Sequence, residues 1–213
     1  MKTKSFYFNE LRECCYVAWD ETGECVVIDP GFGSDNEFDR LKKYIATENL
    51  KPVKILLTHG HFDHILGLEA AWRFWSVPVY FSRLDDIQIK GAPAYCSMLG
   101  LNTSPFTGEG IDVKDGDIIR FGNTELEAIA TPGHTEGGIC YFCRKDAVLF
   151  SGDTLFAGSI GRTDHIGGDY EKLMGSIVNK LMKLDGEVSV FPGHGPSTNI
   201  GYERSTNPFL ETY

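Results

Sequence analysis

Thr58-His59-Gly60-His61-Phe62-Asp63-His64 is the stretch on which the fold and the chemistry of this chain turn. Three imidazoles and one carboxylate fall within positions 59–64. Packing does not explain that density, because His and Asp are costly to bury unless something pairs with them. Val53-Lys54-Ile55-Leu56-Leu57, introduced by Pro52, reads as a buried strand just before it. Ile65-Leu66-Gly67-Leu68 then opens a helical pattern, so the histidines sit on a strand-to-helix loop, where α/β scaffolds place chemistry. His59 and His61 are two apart and point the same way in extended backbone. Asp63 and His64 lie past the bend and aim at a neighbouring point. Two adjacent ligand clusters, hence two metal ions, is the simplest geometry.

The chain holds six His, and two further ones lie in similar settings: His134 in Thr131-Pro132-Gly133-His134-Thr135, and His194 in Pro192-Gly193-His194-Gly195. Asp153 follows Leu149-Phe150-Ser151-Gly152, again at the end of an apolar strand. The order H-x-H-x-D-H, then His, Asp and His, closely resembles the metallo-β-lactamase superfamily of hydrolases. The strings TPGHTEGGICYF (131–142) and LFSGDTLFAGSIGRTD (149–164) resemble its glyoxalase II branch, hydroxyacylglutathione hydrolases, in the short bacterial type without a C-terminal helical domain. The likeness runs from Val27-Ile28-Asp29-Pro30-Gly31 to Asn207-Pro208-Phe209-Leu210.

The resemblance implies an α+β fold, a four-layer αββα sandwich with mixed β-sheets. It implies that His59, His61 and His134 hold a first metal, that Asp63, His64 and His194 hold a second, and that Asp153 bridges both. Asp63 and Asp153 are thereby the catalytic carboxylates. The cofactor is two divalent ions, zinc ahead of iron or manganese, since neutral imidazole with carboxylate suits all three. Ions sharing one water bring its pKa towards neutrality, which suits cleavage of a thioester such as a 2-hydroxyacyl-glutathione. The alternative from the same resemblance is a mononuclear-iron persulfide dioxygenase. Arg162, in Gly161-Arg162-Thr163-Asp164, resembles a basic substrate contact of the family; a loop salt bridge with Asp164 is its other reading. Asp29 and Thr58 read equally as supports of the metal ligands or as structural residues. His165 reads as a surface residue. Antibiotic-inactivating lactamases are set aside because they usually lack the carboxylate-bridged set and carry a signal peptide.

The whole chain bounds these expectations. At 213 residues it suits a single domain over 1–213. A charge of 20 − 30 = −10 argues against a nucleic-acid backbone partner. The expected partner is a small-molecule thioester, with no nucleic acid and no membrane. Lys2 and Lys4 have no apolar run behind them, so no signal peptide is read and a cytoplasmic location is expected. The six Cys read as reduced packing residues, with Cys140 and Cys143 on opposite faces of one strand.

Along the chain, Cys15–Trp19 and Glu24–Ile28 predict a hairpin around Asp20-Glu21-Thr22-Gly23. Ser34-x-x-Glu37 predicts a helix start, with Phe38, Leu41 and Ile45 on its buried face. A helix carrying Ile65, Leu68, Trp72 and Trp75 follows the histidine loop, with Glu69 and Arg73 on its solvent side. Val77–Phe81 reads as an edge strand because Pro78 cannot donate to a ladder. Residues 84–101 read as partly helical, broken by Gly91 and Pro93, and 102–110 as a loop able to overhang the site. Met98, Leu99 and Phe106 are expected in the core. Strands near 118–121, 125–129, 138–143 and 147–150 precede a helix from Asp169, and 188–191 closes as a last strand. Pro-Gly pairs at 30–31, 132–133 and 192–193 end three of the strands.

Overall fold

The computed structural model describes residues 1–211 of the chain. Two six-stranded sheets form its centre. The first runs in order β1 (Lys2–Phe8), β2 (Glu13–Trp19), β3 (Glu24–Ile28), β4 (Lys51–Leu56), β5 (Val79–Phe81) and β6 (Gly110–Asp112). Between these strands lie α1 (Asp35–Thr47), α2 (Phe62–Ile65), α3 (Leu68–Trp75) and α4 (Asp86–Met98). The second sheet contains β7 (Ile118–Phe121), β8 (Thr124–Ala130), β9 (Ile139–Cys143) and β10 (Val148–Gly152). A small hairpin, β11 (Leu155–Phe156) with β12 (Ser159–Ile160), and α5 (Tyr170–Asn179) follow. β13 (Ser189–Pro192), β14 (Thr198–Asn199) and α6 (Ile200–Thr206) complete the order, and the sheet reads β14-β13-β10-β9-β8-β7.

Three apolar clusters correspond to three interfaces between four layers. One joins α1, α3 and α4 to the first sheet through Phe38, Leu41, Ala71 and Ile89. A second lies between the sheets, around Tyr16, Ile28, Leu126, Tyr141 and Phe150. The third joins the second sheet to α5 through Leu149, Leu173 and Ile177. This is the αββα sandwich, and both sheets mix parallel with antiparallel pairs. Cys140 packs in the third cluster and Cys143 in the second, so they do face opposite sides of β9. All six cysteines are free and buried. Among the described residues no helix is long and apolar enough to cross a membrane.

The expected hairpin and α1 form as read. Ser34 Oγ accepts from the Glu37 N–H at 3.4 Å, while the Glu37 carboxylate takes the Gly33 and Asn9 N–H groups at 2.8 Å instead of closing back on Ser34. Such caps contribute about 1 kcal/mol.

Several local expectations change. β5 is not an edge strand, since it pairs with β4 and β6 on its two sides. Pro78 lies just before it and uses its carbonyl, which accepts from Ile55 N at 3.0 Å. Helix α4 runs through Gly91 and Pro93 without breaking. An interior Pro costs about 3 kcal/mol, but burying Ile89, Ala92 and Cys96 on one face offsets it, at roughly 1.5–3 kcal/mol for a large apolar side chain. The helix after the histidine loop is two, α2 and α3, divided at Leu66-Gly67. Glu69 is buried because it accepts from Thr107 as well as Arg73. Segment 102–109 is tied to α3 by that contact, and Phe106 packs on Trp72 and Phe81. Met98 and Leu99 are exposed, against expectation, because they sit at the solvent end of α4. β13 is followed by β14, so 188–191 is not the last strand, and β1, β6, β11, β12 and α6 had no reading in the sequence.

Candidate metal centre

Topology brings the motifs together. β3 and β4 run parallel, as do β10 and β13, and β8 is parallel to β10 because both are antiparallel to β9. Asp29 follows β3, His59 and His61 follow β4, His134 follows β8, Asp153 follows β10 and His194 follows β13. Each is therefore carried on the loop after a strand, and those loops meet at one rim of the sandwich. Bonds between the sheets hold that rim: Ile139 N donates to Thr58 O at 2.8 Å, Cys14 N to Gly193 O at 2.8 Å, and the Tyr141 hydroxyl to Leu57 O at 2.8 Å.

His59, His61 and His134 present ligand atoms within 4.8 Å of one another, and so do Asp63, His64 and His194. These are the two triads expected from the sequence. Asp153 lies between them, with Oδ1 3.4 Å from His64 Nε2 and Oδ2 3.4 Å from His134 Nε2 and 3.7 Å from His194 Nε2. Asp63 Oδ2 is 3.1 Å from His194 Nε2. The backbone at Gly193 passes so close to Asp153 and His64 that any Cβ there would meet both.

Partners on the far side of the rings fix which nitrogen faces inward. His64 Nδ1–H donates to Asp29 Oδ2 at 3.0 Å. The Thr58 hydroxyl donates to Asp29 Oδ2 at 2.6 Å, so its oxygen accepts from His59 Nδ1–H at 3.1 Å. His134 Nδ1–H donates to the Arg162 carbonyl at 2.8 Å, and His194 Nδ1–H to the Leu11 carbonyl at 3.1 Å. Nε2 is thereby the nitrogen that each of the four rings turns inward. Such outer partners are the usual means of orienting imidazoles towards a metal. His61 turns Nδ1 to His59 Nε2 at 3.1 Å, so two ring nitrogens converge on one point.

The inward atoms lack protein partners. His64 Nε2, His134 Nε2 and Asp153 Oδ1 are buried without a hydrogen bond. Buried polar atoms are rarely left so, and imidazole and carboxylate are metal donors, so the set fits divalent ions. The charges fit as well. Burial drives His59 well below the ordinary histidine range, with neighbouring imidazoles adding to it, and takes His61 down to about 3. Burial also lowers His134. Burial works against ionised Asp63 and Asp153, but His64 beside them holds both carboxyls low.

Arg162 serves the centre through its carbonyl, and its exposed guanidinium pairs with Asp164 at 2.8 Å. His165, read as a surface residue, is half-buried with its ring against His61 and His134, centroids 4.7 and 5.0 Å away. The only sequence signal was its place after the Gly161–Asp164 loop. The sequence reading also missed Glu13, fully buried with neither carboxyl oxygen hydrogen-bonded, whose carboxyl burial pushes well up. Asp85 escaped it too, because an aspartate at a helix start reads as a cap.

The Metallo-beta-lactamase superfamily profile matches residues 12–194. The hydroxyacylglutathione hydrolase GloC of Haemophilus influenzae is 35% identical over 204 residues, covering 95% of this chain and 94% of GloC. Among solved structures, the BLEG-1 B3 metallo-beta-lactamase superposes with a TM-score of 0.88 at 36% identity, covering 99% of this chain and 100% of that one. TTHA1623 in a di-iron-bound form gives 0.86 at 34%, with 97% and 100% covered. Profile, fold and the His/Asp clusters at the strand ends agree, and the chain belongs to the metallo-β-lactamase superfamily.

Proposed function

We propose that the chain is a metal-dependent thioester hydrolase of the glyoxalase II-like kind, acting on a substrate such as a 2-hydroxyacyl-glutathione. The observation that carries this is Asp153, one carboxylate placed between two complete triads. On this reading His59, His61 and His134 hold one ion, Asp63, His64 and His194 hold the other, and Asp153 reaches both. When bound, the ions supply Lewis acidity, lowering the pKa of a water and balancing developing negative charge. Zinc is the first choice, and likeness to TTHA1623, solved in a di-iron-bound form, supports iron as the second. Asp29, Thr58 and the Arg162 carbonyl keep the rings in one tautomer and orientation. Similarity to GloC supports the substrate class.

The leaving group narrows the chemistry. With five histidines and both carboxylates committed, His165 is the one uncommitted imidazole beside the centre. A thiolate departs unprotonated, since its conjugate acid has a pKa of about 8.5. An amide or lactam nitrogen needs a proton first. The expected result is that kcat/KM for a thioester far exceeds that for the matched oxygen ester, amide and a β-lactam. Likeness to BLEG-1 makes the β-lactam arm the critical one. Turnover of a β-lactam as fast as the thioester overturns the substrate class, and its loss in His165→Ala would name His165 as the proton donor. One iron per chain with oxygen uptake on a glutathione persulfide would instead establish the dioxygenase reading.

A further inference from the structure

Asp85 stands immediately before α4, where an aspartate ordinarily accepts the first free N–H groups of its own helix. It makes no such cap. Its side chain turns away and is 1% exposed. Oδ2 accepts from the Gly60 N–H at 2.8 Å and from the Thr135 hydroxyl at 2.8 Å, and Oδ1 accepts from the Gly137 N–H at 2.7 Å. Burial raises its carboxyl in spite of those three donors.

The donors come from two loops that sequence separates widely. Gly60 lies between His59 and His61, and Thr135 follows His134. One carboxylate therefore fastens the loop bearing two imidazoles to the loop bearing the third. The approach is close: a Cβ at Gly137 would lie 2.6 Å from Asp85 Cγ, and one at Gly60 3.0 Å from Asp85 Cβ. Among the described residues Asp85 accepts nothing from α2, which carries Asp63 and His64, or from the loop that carries His194. Those are oriented by Asp29, by Asn9, which donates to Asp63 O at 2.9 Å, and by Leu11.

We propose that Asp85 is a positioning residue for the first metal site alone, a clasp that sets the distance between the His59–His61 loop and His134. The inference rests on the two-ion reading above. Losing such an outer partner costs about 10–100-fold in metal affinity. The Asn side chain keeps the volume but brings an NH2 donor against N–H groups, so Asp85→Asn should loosen the clasp without a cavity.

Zinc affinity, measured by competition with a chromophoric chelator, tests this in two single-site backgrounds. In His194→Ala the remaining ion occupies the first triad, and adding Asp85→Asn is expected to weaken it about 10–100-fold. In His61→Ala the remaining ion occupies the second triad, and the same change should shift it less than about threefold. Glu69→Gln is the control, because Glu69 is also a buried carboxylate with three donors but serves the Thr107 loop and Arg73; it should move neither. Should Asp85→Asn fail to fold, Thr135→Val removes one of the three bonds and should weaken the first site alone by a smaller factor. Equal weakening in both backgrounds, or none in either, overturns the clasp. Wild-type protein holding a single ion sinks the two-ion reading instead. Asp85 is then decided on that ion: tenfold weakening by Asp85→Asn upholds it and no change overturns it.

Discussion

The imidazoles of the two triads stand in opposite states. His59, His61 and His134 face one another, and burial lowers all three, with repulsion from neighbouring imidazoles adding to it. They are neutral imidazoles with lone pairs ready for a cation. His64 is buried and His194 half-buried, and burial works against their charge, but carboxylates override it: Asp153 and Asp63 for His64, and for His194 the Asp63 carboxylate that accepts from its ring. Both are raised, so each keeps its proton to higher pH than the histidines of the first triad and must give it up to ligate. A metal site composed of imidazole alone is preorganised at neutral pH, whereas one mixed with carboxylate trades a proton for its metal.

Asp153, which lies between the two triads, gives the largest expected effect. Asp153→Ala should lower thioester hydrolysis by about a thousandfold or more, as several kcal/mol of transition-state stabilisation at about 1.4 kcal/mol per decade implies. Its metal content should fall further than that of His165→Ala, since His165 only leans on the first triad. Wild-type activity and metal content in Asp153→Ala would break the dinuclear assignment.

A pH series sharpens the contrast between the triads. A histidine with a raised pKa is protonated below that value, and the proton must leave before the nitrogen ligates. Zinc affinity in His61→Ala, where His64 and His194 remain, should therefore fall as pH drops from about 8 to 6, by up to about tenfold per unit for each histidine. In His194→Ala the histidines of the first triad are all lowered, and affinity should fall less steeply over that window. Equal slopes in the two variants would mean that the carboxylates do not set the difference.

The smallest effect is expected outside both triads. Arg162→Ala keeps the backbone carbonyl that holds His134 and removes only the exposed guanidinium. If that group contacts an anionic substrate, KM should rise about three- to tenfold with kcat little changed, the mark of lost uniform binding. An unchanged KM leaves the side chain with Asp164 alone.

The amino-acid sequence by itself determined which residues could make the centre and roughly where each would sit. His59, His61, Asp63, His64, His134, Asp153 and His194 all lie just past apolar strands, and strand ends with Pro-Gly or Ser-Gly punctuation are local signals that survive without a fold. The same holds for the hairpin, for α1 behind Ser34 and for the start of α5 behind Asp169, where Leu173 and Ile177 are buried as their spacing states, although the helix ends at Asn179 and leaves Tyr170 exposed. Tertiary structure decided everything that depends on a partner distant in sequence. Helix α4 passes through Pro93 because Ile89, Ala92 and Cys96 are buried beneath it, and β5 is interior because β6 arrives from a remote segment. His165 comes against His61 and His134 only once the loop after β12 folds back. Arg162 orients His134 with a carbonyl, a group every residue possesses and no side-chain pattern can announce. Asp85 looks like a helix cap until the chain closes, because its three donors lie 25, 50 and 52 positions away, and only packing can say which of several possible bonds a buried carboxylate will make.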